Sequence, residues 1–181
     1  MALMDMVQQH LGQSEINQIS QQLGVSPGVA QTAISAAIPM IVGGMASHAS
    51  QPQGASTIQQ AITAHDGVTD NVGAVLESGP PADIGGSGGL LGRILGNHHD
   101  TVQQSVQQAS GLDGEKAKKL LMMLSPIVLG VLARRQFGGQ NAQQADAGQL
   151  GSVLRQEAQS AAQQSPHVGG LLGKILGAVQ T

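Results

Sequence analysis

The chain contains no cysteine, tryptophan or tyrosine, and Phe137 is its only phenylalanine. Without cysteine it can form no disulfide, no thiolate metal site and no cysteine nucleophile, so thiols give no information on its redox compartment. Its core has to be built from Ala, Val, Leu, Ile and Met. Because strands favour β-branched and aromatic side chains, whereas Ala, Leu, Met and Gln favour helices, this composition predicts an all-α, multihelical fold.

Charge is also scarce: charged residues make up 10% of the 181 residues, against about 25% in a typical soluble domain. Residues 1–92 carry six acidic groups and no Lys or Arg, whereas residues 93–181 carry eight basic and five acidic groups. The formal charges of the two parts are therefore −6 and +3. A surface this poor in charge has little electrostatic protection against self-association.

Neither a secretory signal nor a membrane span is predicted. The opening residues, MALMDMVQQH, lack the basic n-region and the continuous apolar h-region of a signal peptide. The longest strongly apolar stretch, residues 120–133, is interrupted by Ser125 and Pro126 and is shorter than the ~20 residues that cross a bilayer. We expect this stretch to be a kinked core helix and the protein to be cytoplasmic.

Three segments of the sequence recur in the same order. QQLGVSPGVAQTAISAAIPMIVGG aligns with QASGLDGEKAKKLLMMLSPIVLGV at an offset of 87, so that Pro39 matches Pro126. NVGAVLE recurs as QLGSVLR at an offset of 78, and GGLLGRILG recurs as GGLLGKILG at an offset of 81. Offsets that differ by only a few residues predict two diverged copies of one helical unit.

Each copy of the unit has signals for a short helix followed by a long one. Residues 14–23 have helical spacing of their apolar side chains, and Gly24 follows where a left-handed C′ residue is favoured. Ser26 then supplies an N-cap before a proline, and Asp113 is the equivalent cap in the second copy. The long helices that follow are apolar almost all round, which predicts a central pair. Their internal prolines predict a kink in each, or two helices separated at the proline.

The repeats divide the chain into four parts. Pro80-Pro81 and GGSGG identify the linker between the two copies. The parts are a first helical unit at 1–79, a linker at 80–89, a second unit at 90–168, and a terminal amphipathic helix at 169–181 that repeats the motif at 88–96. Further helices are expected at 57–64 and 149–164.

The combination of GLLGxILG, a Gln-rich helix ending in Gly-Leu-Asp or Gly-Val-Ser, and an apolar helix with PIVLG or PMIVG resembles the YidB-like family of uncharacterised bacterial proteins. The resemblance covers residues 88–133, residues 169–179 and the diverged first copy. It implies an all-helical fold and a bacterial source. It brings no reaction, cofactor or catalytic residue.

The most suggestive polar cluster is His98-His99-Asp100, since imidazole and carboxylate can ligate zinc or nickel. Adjacent residues on a helix point about 100° apart, so a metal site needs further ligands, for which His65-Asp66 and His167 are the candidates. We expect instead a solvated loop at the end of the GLLGRILG helix, with no metal site.

No other pattern predicts an enzyme or a nucleic-acid-binding protein. The glycines at 85–89 lack the lysine of a phosphate-binding loop and a preceding strand, and no Gly-x-Ser-x-Gly elbow is present. Lys116, Lys118, Lys119, Arg134 and Arg135 have no aromatic neighbours for base stacking. We therefore predict a non-enzymatic protein with no cofactor and no nucleic-acid partner.

The repeated GGLLGxILG segments are amphipathic. The first copy is predicted to be an internal packing helix, whereas the second has no following unit to cover it and is predicted to be a self-association face. The side chains of this terminal face are Leu171, Leu172, Ile175 and Leu176. Such a contact joins dissimilar surfaces, so both head-to-tail filaments and rings are allowed. The alternative is a binding module whose aliphatic groove takes a lipid, a membrane surface or an amphipathic helix.

Overall fold

A computed structural model describes residues 3–65, 67–78, 89–137, 147–164, 170 and 173–175. These residues form α-helices and two 3-10 turns and contain no strand, so the predicted all-α class is confirmed for the described part of the chain. The helices are α1 (Leu3–His10), α2 (Gln13–Leu23), α3 (Pro27–Ala49), α4 (Gly54–Ala64), α5 (Val72–Glu77), α6 (Leu90–Leu95), α7 (His99–Ser110), α8 (Gly114–Phe137) and α9 (Ala147–Gln164). The 3-10 turns are Val68–Asn71, before α5, and Gly96–His98, between α6 and α7.

Helices α2 and α7 both end at a glycine in the left-handed region. Gly24 has φ 65° and donates its N–H to helical carbonyls at the end of α2. Gly111 has φ 71° and does the same at the end of α7. Glycine is favoured at both positions because a Cβ disfavours this backbone conformation.

The long helices α3 and α8 begin with equivalent caps. Ser26 Oγ accepts a hydrogen bond from the Val29 N–H at 3.4 Å, and Asp113 Oδ1 accepts one from the Lys116 N–H at 2.9 Å. Pro39 and Pro126 lie inside these helices. Both helices continue past the proline, so the alternative of two helices separated at that point is wrong.

The buried side chains of the two halves form one hydrophobic cluster. Helix α3 packs against α6 and α7 from the second half of the chain, and α8 packs against α1 and α2 from the first half. Helix α9 lies along α3. Each long helix is thus covered partly by helices from the other half.

Helix α3 is the one described helix that is long and apolar enough to cross a membrane by length and composition. In this fold 78% of its most apolar window is buried. Its residues from Ala36 to Ser47 are all buried. In the structure α3 is therefore a central core helix.

Candidate functional site

Most of the terminal face lies outside the described residues. Leu171, Leu172 and Leu176 are not described, and Ile175 is fully buried within the single chain. At Ile175, the terminal segment therefore packs against its own chain.

The first copy of the same motif shows how such a segment is received. Helix α6 packs against α3, α4 and α8. Gly44 on α3 makes room for it, because a Cβ at this position would lie 2.6 Å from Leu95 Cδ2. The four aliphatic side chains of α6 are all buried: Leu90, Leu91, Ile94 and Leu95. The prediction of an internal packing helix at this position is confirmed.

The cluster His98-His99-Asp100 is not the solvated loop that we expected. His98 ends the 3-10 turn and His99 begins α7, and both side chains are partly buried. His98 Nε2 shares a hydrogen bond with Ser47 Oγ at 3.1 Å. His99 Nδ1 donates to the Gly96 carbonyl at 3.0 Å, and His99 Nε2 lies 3.2 Å from Asp100 Oδ1. The His98–Ser47 contact attaches the turn before α7 to the end of α3, and the two His99 contacts are local to residues 96–100.

A third histidine, His48, lies beside His98 and Gly96, and no sequence motif predicted a role for it. Its Nδ1 atom is buried without a hydrogen-bond partner. Burial of the ring, and secondly the nearby His98, lower the pKa of His48 below the ordinary value of 6.5, while a backbone hydrogen bond to Arg93 acts in the opposite direction. No local pattern links His48 to His98, because they are 50 residues apart in the chain.

The histidines suggested as additional metal ligands lie elsewhere or are not described. His65 Nδ1 donates to the Ala61 carbonyl at 2.7 Å, which places its ring at the end of α4. Asp66 and His167 lie outside the described residues. Within the described ranges no group of three or more His, Asp or Glu side chains is arranged to hold a metal ion.

The Ser47–His98 pair contains the residue types of a nucleophile and its base. Ser47 is only 1% exposed, in the middle of the packed face of α3. A nucleophile has to reach the reacting carbon of a substrate, and this hydroxyl has no such access. The hydrogen bond is therefore a packing contact between α3 and the turn before α7.

Most of the basic residues of α8 make intrachain contacts. Lys119 Nζ donates to the Gln22 carbonyl at 2.7 Å, at the end of α2. Arg134 donates to Asp70 at 2.6 Å, and Arg135 pairs with Glu157 of α9. Two of the cations considered for nucleic-acid binding, Lys119 and Arg134, thus connect one half of the fold to the other.

An open depression with a volume of about 460 Å³ lies on the outer face of α4. Its lining is mainly polar and uncharged: Ser56, Gln59, Gln60, Thr63 and Ala64. Val29 is the one large hydrophobic residue exposed within the described ranges. Neither the depression on α4 nor the site of Val29 is an extended aliphatic groove.

Comparison with known proteins places the fold in a family. No curated protein and no solved structure matches the chain. Residues 5–135 match the family described as "Bacterial protein of unknown function (DUF937)". The match covers α2 to α7, nearly all of α1 and α8, and ends before α9. It agrees with the resemblance to an uncharacterised bacterial family, and the chain therefore belongs to the DUF937 family of bacterial proteins.

Proposed function

We propose that the chain is a non-enzymatic structural or interaction protein that self-associates through its terminal face. The observation that supports this proposal is the packing of α6, whose motif is nearly identical in sequence to the terminal segment. Helix α6 buries all four of its aliphatic side chains and packs against α3, α4 and α8. A GGLLGxILG segment is therefore a sequence that packs into a groove. Burying four such side chains contributes on the order of 6 to 10 kcal/mol before ordering costs.

The assembly requires the terminal segment to leave a contact within its own chain. Because Ile175 is buried within the single chain, an interchain contact has to replace an intrachain one. Exchange of an identical element between copies is a low-cost route to association. The small charged fraction of the chain adds little repulsion between copies. A contact between the terminal face and a different surface of the next copy leads to rings or filaments.

The proposal includes a duplicated architecture with a kink at each internal proline. Helices α3 and α8 begin 87 residues apart, and their caps and their prolines have the same separation. The left-handed glycines before them, Gly24 and Gly111, keep that separation as well. A proline inside a helix removes one hydrogen bond and clashes with the preceding turn, which supports a kink at both Pro39 and Pro126.

The absence of catalysis is part of the same proposal. The buried Ser47 hydroxyl and the intrachain contacts of Lys119 and Arg135 support a structural role for these polar groups, which we considered for chemistry. The alternative of an aliphatic groove for a lipid or a partner helix receives no specific support, since the depression on α4 is lined by no aliphatic side chain larger than alanine. A cytoplasmic location and the absence of a nucleic-acid partner remain predictions.

Light scattering coupled to size exclusion tests the proposal. The wild type is expected to form oligomers whose mass rises with concentration. Deleting residues 169–181, or introducing Leu172→Asp with Leu176→Asp, is expected to give monomers of nearly unchanged helicity, because charge on the terminal face prevents its burial.

The matched control introduces two charges at the same spacing on α9. Gln159→Asp with Gln163→Asp changes two exposed side chains and is expected to leave the mass unchanged. A wild type that stays monomeric at high concentration, or a terminal-face variant that unfolds, would show that the segment is an internal packing element. Liposome flotation of the wild type tests the alternative of a membrane surface.

A further inference from the structure

The end of α3 and the turn before α7 meet in an unusually close contact. Gly96 has φ 56°, and a Cβ at this position would lie 2.4 Å from His48 Nδ1. On the other side of His48, a Cβ at Gly54 would lie 1.9 Å from the His48 carbonyl oxygen. His48 is therefore held between two glycine backbones, and its buried Nδ1 has no hydrogen-bond partner.

This contact holds one end of a larger interface. His98, beside Gly96, is joined to Ser47 by a hydrogen bond of 3.1 Å. One turn earlier on α3, a Cβ at Gly44 would lie 2.6 Å from Leu95 Cδ2 and 2.9 Å from Val102 Cγ2. The histidine contacts thus lie where α6 and the start of α7 pack most closely against α3.

The charged groups around His48 are mostly cationic. Helix α4 has no titratable residue between Gly54 and Ala64. The Asp100 carboxylate of α7 lies beside His99 Nε2. On α9, the Arg155 guanidinium donates a hydrogen bond to Ser50 Oγ, two residues after His48. The titratable and charged groups on the elements that pack here are Arg93 of α6, His98 of the 3-10 turn, His99 and Asp100 of α7, and Arg155 and Glu157 of α9. The Glu157 carboxylate binds the Leu3 N–H and Arg135.

We propose that this junction is an acid-sensitive joint, in which protonation of His48 beside His98 releases α6 and the start of α7 from α3. A proton on His48 Nδ1 is a donor with no acceptor in a buried position. The neighbouring His98 also disfavours a positive charge on the His48 ring. Release would expose the aliphatic face of α6. The device would therefore control when an apolar surface of this fold becomes available.

The direction of the pH effect follows from proton linkage. The lowered pKa of His48 means that the closed joint binds this proton less readily than the open joint does, whose histidine has the ordinary value of 6.5. At higher pH the joint is closed and its stability is constant. As the pH falls from 6.5 towards the lowered pKa, the open fraction rises, by at most about tenfold for each pH unit. Below the lowered pKa the effect levels off.

Hydrogen exchange of the full chain at about pH 8 and about pH 5.5 measures this opening. After correction for the intrinsic exchange rate, the protection of residues 90–102 is expected to fall at the lower pH, by at most about tenfold. Protection in the core of α8, residues 120–133, is expected to change much less. A parallel loss of protection in both segments would mean global unfolding and would overturn the proposal.

Two substitutions test the role of the histidines. His48→Gln, which cannot be protonated, is expected to remove the pH dependence of exchange at residues 90–102, whereas His10→Gln on α1 is a control that should keep it. His98→Gln retains a hydrogen-bonding group for Ser47 and removes the neighbouring charge, so the NMR titration midpoint of His48 is expected to rise. An unchanged midpoint in this variant, or a wild-type His48 that titrates at or above 6.5, would overturn the proposal whether or not the protein self-associates.

Discussion

Removing the Glu157 carboxylate tests how α9 is attached to the rest of the fold. Glu157 Oε2 accepts the Leu3 N–H at 2.8 Å, in the first turn of α1, and Oε1 accepts a hydrogen bond from Arg135 at the end of α8. The Glu157 side chain is 10% exposed and that of Arg135 is 33% exposed. One carboxylate therefore connects α1, α8 and α9. Helix α9 itself lies beyond residues 5–135, which match the family.

Two contributions set the size of the effect. Glu157→Ala leaves the buried Leu3 N–H without an acceptor, which costs about 1 to 3 kcal/mol. It also leaves the Arg135 guanidinium unpaired, and this costs less than the ~3 to 5 kcal/mol of a fully buried pair because water reaches part of it. We expect a total loss of about 3 kcal/mol. Glu157→Gln keeps an acceptor for Leu3 and should cost about half as much.

The chain contains a matched control one residue away. Arg134 pairs with Asp70, and their side chains are 48% and 66% exposed. Arg134→Ala is therefore expected to cost about 0.5 kcal/mol, the value typical of surface pairs. Arg135→Ala is expected to cost more and to show coupling of about 1 kcal/mol or more with Glu157→Ala in a double-mutant cycle.

Urea unfolding followed by circular dichroism at helical wavelengths measures these differences, since the chain has no tryptophan or tyrosine to serve as an intrinsic fluorescent probe. For a chain of this size, a loss of about 3 kcal/mol lowers Tm by about 6 to 12 °C. If Glu157→Ala and Arg134→Ala cost the same within about 0.5 kcal/mol, the attachment of α9 does not depend on this carboxylate, and the reasoning is refuted.

Three further predictions concern glycines and metals. Gly54→Ala would place a Cβ 1.9 Å from a backbone carbonyl oxygen and should cost about 3 kcal/mol, whereas Gly28→Ala, with nothing within 4 Å, should be neutral or stabilising in denaturant titrations. Gly24→Ala and Gly111→Ala should each cost about 1 to 2 kcal/mol, because both positions are left-handed; very different costs would argue against equivalent roles. A chelator should leave Tm unchanged, and a shift of several degrees restored by one particular metal would contradict this expectation.

Local signals in the sequence were sufficient for the helical class and for several helix ends. The scarcity of aromatic residues and the richness in Ala, Leu and Gln predicted helices, and the described residues contain no strand. The predicted helix at 149–164 corresponds to α9 at Ala147–Gln164, and Gly24 ends α2 where its left-handed preference placed it. These features depend on neighbouring residues alone, because caps and backbone preferences act within one turn.

Tertiary structure decided which helices cover each other and which polar groups meet. Periodicity showed that α3 and α8 had to be buried, but it could not show that each packs against helices from the other half of the chain. The meeting of His48 with His98, and of Glu157 with the first turn of α1, joins residues that are far apart in the sequence. Such contacts arise from the shape and packing of the whole core, on which a local pattern carries no information.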